Sequence, residues 1–210
     1  MVSVDSLANV NARDGVTITT GPASTDPGTG KPYGSAFPTV QIRDFVNVQK
    51  AVADHLGIRR FHAVIGPSMG AMQAFEWAAA HPDMVERLVA VVGAAQVDAY
   101  TIERVRHWAD AVRLDPRWQG GDYHGREEPA EGLALALRIA TLDARAPAWA
   151  EAAFGRRPAD EARDPAADPG HAFAVQRWFD DTARARAKTV EASHLVALAR
   201  AVDSSTRSLS

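Results

Sequence analysis

The sequence predicts an α/β protein in which a parallel sheet with flanking helices is followed by an all-helical half. Two observations carry this expectation. Between residues 40 and 93 helical and strand-like patterns alternate, and both strand-like runs are short, mostly apolar and end in glycine, as buried parallel strands do. From Asp98 onward strand-like runs vanish, and alanine, arginine and leucine dominate.

The elements follow from local pattern. Residues 19–34 are dense in Thr, Gly, Pro, Ser and Asp, which marks a loop bounded by Phe37-Pro38. Ile42, Phe45, Val46, Val52, Ala53 and Leu56 then recur at helical spacing, and Gly57 stands where a helix stops, so a helix is expected over 40–56. Arg60 to Gly66 reads as a buried strand, Ala71 to His81 as a helix closed by Pro82, and Leu88 to Gly93 as a second strand. Beyond these, helices are expected over about 98–113, 129–146, 148–155, 172–183 and 184–202, with a frayed tail at 204–210.

Composition excludes several function classes. At 210 residues, 46% hydrophobic and 23% charged, the chain is sized for one domain with a substantial core. A net charge of −3 offers no basic excess for a phosphate backbone, so nucleic acid is not an expected partner. No apolar run approaches the roughly 20 residues of a spanning helix, and Met1-Val2-Ser3-Val4-Asp5 lacks the layout of a signal peptide, so no membrane partner and a cytoplasmic location are expected. The absence of cysteine rules out disulfides, thiolate metal sites and cysteine nucleophiles. With no H-E-x-x-H spacing and no phosphate-binding glycine loop, neither a metal nor a bound cofactor is expected.

One motif carries chemistry: Gly66-Pro67-Ser68-Met69-Gly70, between a predicted strand and a predicted helix. This is the context of a nucleophile elbow, in which Ser68 sits on a strained turn at the carboxyl end of the sheet. Gly66 and Gly70 are the structural residues of that turn, because strand and helix approach too closely for side chains. The backbone N–H of Met69, opening the helix, points where an acyl oxyanion would form. Ser68 is the candidate nucleophile, with Met69 as backbone oxyanion donor. The run Arg184-Ala185-Arg186-Ala187-Lys188 reads as a solvated helix face, and Trp77, Trp108, Trp118, Trp149 and Trp178 as packing residues.

The stretch from Gly66 through Ala71-Met72-Gln73-Ala74-Phe75-Glu76-Trp77 resembles the elbow of the homoserine O-acetyltransferase family of α/β-hydrolase-fold acyltransferases, usually G-G-S-M-G-G-M-Q-A-x-E-W. Upstream, Gly21-Pro22-Ala23-Ser24, Thr29 to Gly34, Phe37-Pro38 and Ile42-Arg43-Asp44 are similar to the loop before that elbow. Downstream, Asp115-Pro116-Arg117-Trp118, Gly132 to Ala136, Phe154-Gly155-Arg156 and Glu191 to Leu195 resemble the family's helical lid, in family order. The resemblance implies a partial α/β-hydrolase fold: a core with the elbow over 1–97 and a helical lid over 98–203.

It also implies a reaction. Ser68 would take an acyl group from acyl-CoA, acetyl-CoA in the first instance, as co-substrate and pass it to the hydroxyl of a small amino acid, with a homodimer joined through lid helices. The family's catalytic aspartate and histidine follow the lid, and its first oxyanion-hole segment precedes the stretch represented here. Both are expected to be absent from this chain, leaving it impaired, and sheet edges left open favour association. None of His55, His62 and His81 is placed to reach across the serine, and His107, His124, His171 and His194 belong to lid segments as solvated or hydrogen-bonded residues. The family has an arginine shortly after its G-L-A-x-A and a tyrosine about seven residues later, near the acceptor. This sequence has Leu137-Arg138 and Asp143-Ala144-Arg145 there, which makes Arg138 the candidate substrate-binding residue. A shift of one residue on a helix turns a side chain by about 100°, so its equivalence to the family arginine depends on helix phase. Two alternatives remain: a serine esterase of the same fold, and a non-catalytic remnant that self-associates.

Overall fold

A computed structural model describes residues 1–203, and the tail expected at 204–210 lies outside the described residues. The first helix, α1 (Ile42–His55), starts where the Asp44 carboxylate accepts a hydrogen bond from the Gln41 amide at 2.8 Å. It buries Ile42, Phe45, Val46 and Ala53 along one face. Strand β1 (Val64–Pro67) follows, then α2 (Met69–Ala80), a 3₁₀ turn at Pro82–Met84, and β2 (Leu88–Val91). The strands pair in parallel, with Val64 opposite Leu88 and Pro67 opposite Val91. The expected βαβ order is therefore present, although β1 is shorter at its start than the apolar run, and the strands expected to be buried are largely exposed, with Ile65 at 67% and Val91 at 44%. Phe61 pairs with Val85 only as an isolated bridge.

Helix α2 is apolar nearly all round and buried on most faces. Its polar residues have work between the helices. Gln49 of α1 donates to Gln73 at 2.6 Å and accepts from the Trp77 indole at 2.6 Å, while Arg43 pairs with Glu76. Three conspicuous residues of the elbow helix, Gln73, Glu76 and Trp77, thus join α2 to α1.

The second half is helical as expected: α3 (Ala99–Arg113), α4 (Ala130–Asp143), α5 (Pro147–Ala153), α6 (Ala174–Ala187) and α7 (Ala192–Asp203). Asp98 caps α3, accepting from the Thr101 amide at 2.7 Å. Asp115 joins two elements, accepting from the Arg117 amide at 2.9 Å and from the Gly132 amide in the first turn of α4 at 3.0 Å. Helix α6 runs to Ala187, and Thr189 to Glu191 then separate it from α7. The boundary expected between 183 and 184 therefore falls later, because the periodic pattern runs through the real turn.

One core cluster joins both halves, drawing Ile42, Phe45 and Met72 together with Val112, Leu137 and Leu195. The N-terminal loop is fastened to α7. His194 is 1% exposed, and its Nδ1 meets the Asn9 carbonyl at 2.9 Å while its Nε2 accepts from the Ala23 amide at 3.3 Å. Burial holds its imidazolium form down, in keeping with a neutral ring that donates from Nδ1. Beside it Glu191, 2% exposed, accepts from Tyr123 and Ser193 and pairs with Arg13 at 2.8 Å. Burial works against this carboxylate, but the Tyr123 hydroxyl, the Arg13 charge and Ser193 outweigh it and hold its pKa below the usual range. Burial and the neighbouring Glu191 charge push the Tyr123 hydroxyl far up, so it stays a donor.

Candidate active site

Ser68 lies between β1 and α2 with φ 53° and ψ −120°, a left-handed conformation that a non-glycine residue adopts only under constraint. The constraint comes from both sides. Its amide donates to the Val91 carbonyl of β2 at 2.9 Å, and its carbonyl accepts from the Ala71 amide at 2.9 Å. At Gly66 a Cβ would stand 2.0 Å from the Gly70 carbonyl oxygen, so the strand and the first turn of α2 touch through backbone. The elbow read from the sequence is present with its side chain exposed. Met69 is the first residue of α2, where an amide has no acceptor within the helix, and it lies beside Ser68 in the same cleft.

Gly93, just past β2, was not singled out by sequence reasoning. A Cβ there would come within 2.5 Å of the Ala71 Cβ and 2.8 Å of the Ser68 carbonyl oxygen. Glycine is thus required against the outer side of the elbow as well as inside it. The only signal in the sequence is its place at the end of the strand after the elbow helix.

Above Ser68 a cavity of about 670 Å³ opens between the strand ends and the lid. Met69, Met72 and Gly93 line it beside the serine, and α3, α4, α6 and α7 supply Trp108, Leu137, Arg186 and Leu198. Among the described residues no histidine lines this cleft. His81, at the end of α2, packs 5.2 Å from the Trp77 ring, and burial lowers its pKa. His124 stacks on Tyr123 with ring centroids 4.5 Å apart.

Helix phase decides the acceptor question raised by the sequence. Leu137 and Ala144 face the cleft, while Arg138 is exposed and pairs with Asp180 of α6 at 3.1 Å, outside the cleft lining. The structure therefore brings Ser68, Met69, Gly66 and Gly70 together and leaves Arg138 apart from them. The basic residues that do line the cleft are Arg104, Arg145 and Arg186. Arg186, in a run expected to be a solvated face, turns inward and donates to the Thr141 hydroxyl at 3.1 Å. Arg104 also bears on Asp98, whose carboxyl is held below its usual range by hydrogen bonds from Thr101 first and by the arginine charge after them.

A βαβ unit with a strained serine at the strand-to-helix turn, roofed by a helical lid, defines an α/β-hydrolase domain. The chain belongs to that family: the family profile described as the alpha/beta hydrolase fold matches residues 15–185. Homoserine O-acetyltransferase of Methanosphaerula palustris is 40% identical over 194 residues, which cover 92% of this chain and 39% of that enzyme. Two solved structures superpose with a TM-score of 0.86. Esterase E22 is 45% identical and aligned over 94% of this chain and 54% of its own. Homoserine O-acetyltransferase from Bacillus anthracis is 34% identical, aligned over 93% of this chain and 52% of its own. The chain spans about half the length of the relatives it matches, from 39% to 53% of the first three curated ones.

Proposed function

We propose that the chain carries the acyl-accepting half of a serine acyltransferase of the homoserine O-acetyltransferase type. The observation that carries this reading is Ser68, exposed at φ 53° on the floor of the lid cleft beside the Met69 amide. In the reaction the Ser68 oxygen attacks the carbonyl of an acyl-CoA, such as acetyl-CoA. The new carbon–oxygen bond forms as the thiolate leaves, and the serine proton passes to a general base. A small amino-acid hydroxyl then attacks the acyl-serine and restores the enzyme. With no histidine of the described residues in the cleft, the base is assigned to the histidine–aspartate pair that the family resemblance places after the lid. Without that pair, acylation is expected to be slower by several orders of magnitude. A homodimer through the lid helices and a cytoplasmic location go with this reading. Among the described residues no helix is long and apolar enough to cross a membrane.

Intact mass after incubation with acetyl-CoA or p-nitrophenyl acetate tests the reading. A gain of one acetyl group that disappears in Ser68→Ala supports it. Because acylation without the pair is slow, the incubation is extended to days with excess donor, and identical masses in wild type and variant at that limit refute it for this chain.

The second reading is hydrolysis, with water as the acceptor. Leu137 and Ala144 favour it, because they stand in the cleft at the places where the resemblance puts an arginine and a tyrosine near the acceptor. The 45% identity to esterase E22 agrees. Product analysis with L-homoserine present separates the two, since transfer yields the O-acetyl amino acid and hydrolysis yields acetate.

A further inference from the structure

The Ser68 cleft continues into a second space. Arg104 and Arg145 line both that cleft and a neighbouring cavity of about 600 Å³ bounded by α3, the end of α4 and α5. Among the described residues neither guanidinium has a carboxylate within 4 Å, whereas Arg13, Arg43, Arg106, Arg117 and Arg138 each do. The Nε of Arg104 is buried without a hydrogen-bond partner. A buried donor left unpaired carries a desolvation cost that an arriving anion relieves.

Both side chains are also held in place. The Arg104 guanidinium lies 5.8 Å from the Tyr100 ring centroid, and that of Arg145 lies 5.0 Å from the ring of Trp149. Stacking on a ring face fixes the guanidinium plane and leaves its N–H edge for a ligand. Of the local carboxylates, Asp98 accepts from the Thr101 amide at 2.7 Å and also feels the Arg104 charge, without pairing with it, and Asp143 accepts from the Trp108 indole at 2.8 Å. Glu151 also lines the outer cavity. Ser68 lines the inner cavity alone, so a substrate with its carbonyl at the serine meets these arginines with its far end.

We propose that Arg104 and Arg145 form an anion clamp at the junction of the two cavities, selecting substrates that carry an oxyanion remote from the group that reacts at Ser68. The inference rests on the reading of this cleft as an acyl-transfer site. The oxyanion is a phosphate of the nucleotide part of a thioester donor or the carboxylate of an amino-acid acceptor. Both present flat or forked oxygen edges that guanidinium groups match.

Calorimetric titration of the chain with coenzyme A, L-homoserine and neutral pantetheine tests the clamp. The variants are Arg104→Gln/Arg145→Gln, Arg145→Gln alone at its exposed position, and Arg106→Gln on the same helix as a control. The double variant is expected to weaken binding of coenzyme A or L-homoserine by about tenfold or more, with pantetheine unaffected and Arg106→Gln like wild type. The titrant that loses affinity identifies the source of the anion, and Arg145→Gln changes in the same direction should the double variant unfold. Equal binding of both anions by wild type and both cleft variants overturns the clamp, as does a wild type that binds neither. Acylation by the neutral ester p-nitrophenyl acetate, followed in parallel, separates the two claims. Arginine-dependent binding without Ser68 acylation sinks the acyl-transfer reading and spares the clamp. Acylation with arginine-independent binding does the reverse.

Discussion

Gly93→Ala puts the elbow's packing to a direct test. The added methyl would sit 2.5 Å from the Ala71 Cβ and 2.8 Å from the Ser68 carbonyl oxygen. Carbon atoms in contact rest at about 3.5–4.0 Å, so the overlap with Ala71 is roughly 1 Å. Neither obstacle is the end of a flexible side chain: one is a methyl on the first turn of α2, the other the backbone of the nucleophile. Overpacking of this kind costs about 1–3 kcal/mol. With a urea slope of about 2 kcal/mol per molar, the unfolding midpoint falls by about 0.5–1.5 M. Relief by movement of α2 would displace Ser68, and a misplacement near 1 Å costs on the order of 10²-fold in reactivity. Urea denaturation followed by circular dichroism reads the first effect, and the rate of Ser68 acetylation by p-nitrophenyl acetate reads the second. Ala71→Gly in the same chain removes one of the two obstacles, so the double variant should recover part of the stability lost, as a coupling in a double-mutant cycle. A Gly93→Ala protein with the wild-type midpoint and rate would refute the argument.

Three further outcomes follow from the lid and its clasp. His194→Ala removes the hydrogen bonds to Asn9 and Ala23 and leaves a space where a buried ring stood, so stability should fall by about 2–4 kcal/mol. Limited proteolysis should then cut within residues 1–25 faster than in wild type. Acid should destabilise the clasp in two stages, because His194 and Glu191 both have pKa values lowered by folding, from 6.5 and 4.5 respectively. A lowered folded pKa gives stability that is present above the unfolded value and lost as pH falls toward the folded one. Urea midpoints should therefore decline below about pH 6.5 and again below about pH 4.5, with the first decline smaller in His194→Ala, where of the two histidines with lowered pKa only His81 remains. Asp115→Ala unfastens the turn at Arg117 from the start of α4 and should cost about 1–2 kcal/mol by urea titration.

The elbow was legible because its chemistry is local. A turn that forces φ 53° on a serine and brings strand and helix backbones together needs glycine at fixed offsets, and an apolar run before it plus a helix after it are visible in one line of sequence. The lid helices were legible for a related reason, since their amphipathic periods and proline or glycine stops sit within single segments. What escaped depends on neighbours distant in sequence. Gly93 matters because of Ala71, His194 because of Asn9 and Ala23, and the inward turn of Arg186 because of Thr141 on another helix. The true break before α7 was hidden because the turn Lys188-Thr189-Val190-Glu191 carries no glycine or proline to mark it, and Val190 is buried in the core like the helix residues on either side.

The divergence of Leu137 and Arg138 has an evolutionary reading. These adjacent residues of α4 look toward the serine and toward Asp180 respectively. Deletion of one residue early in α4 would turn the rest of the helix by about 100° and present the arginine to the cleft in place of the leucine. Such an indel moves a whole helix face at once, so it would also swing the core-facing residues behind position 137 out of register. A cation on this wall is therefore more accessible to a lineage by point substitution at 137 than by slippage of the helix, and selectivity can drift there without disturbing the elbow that holds Ser68.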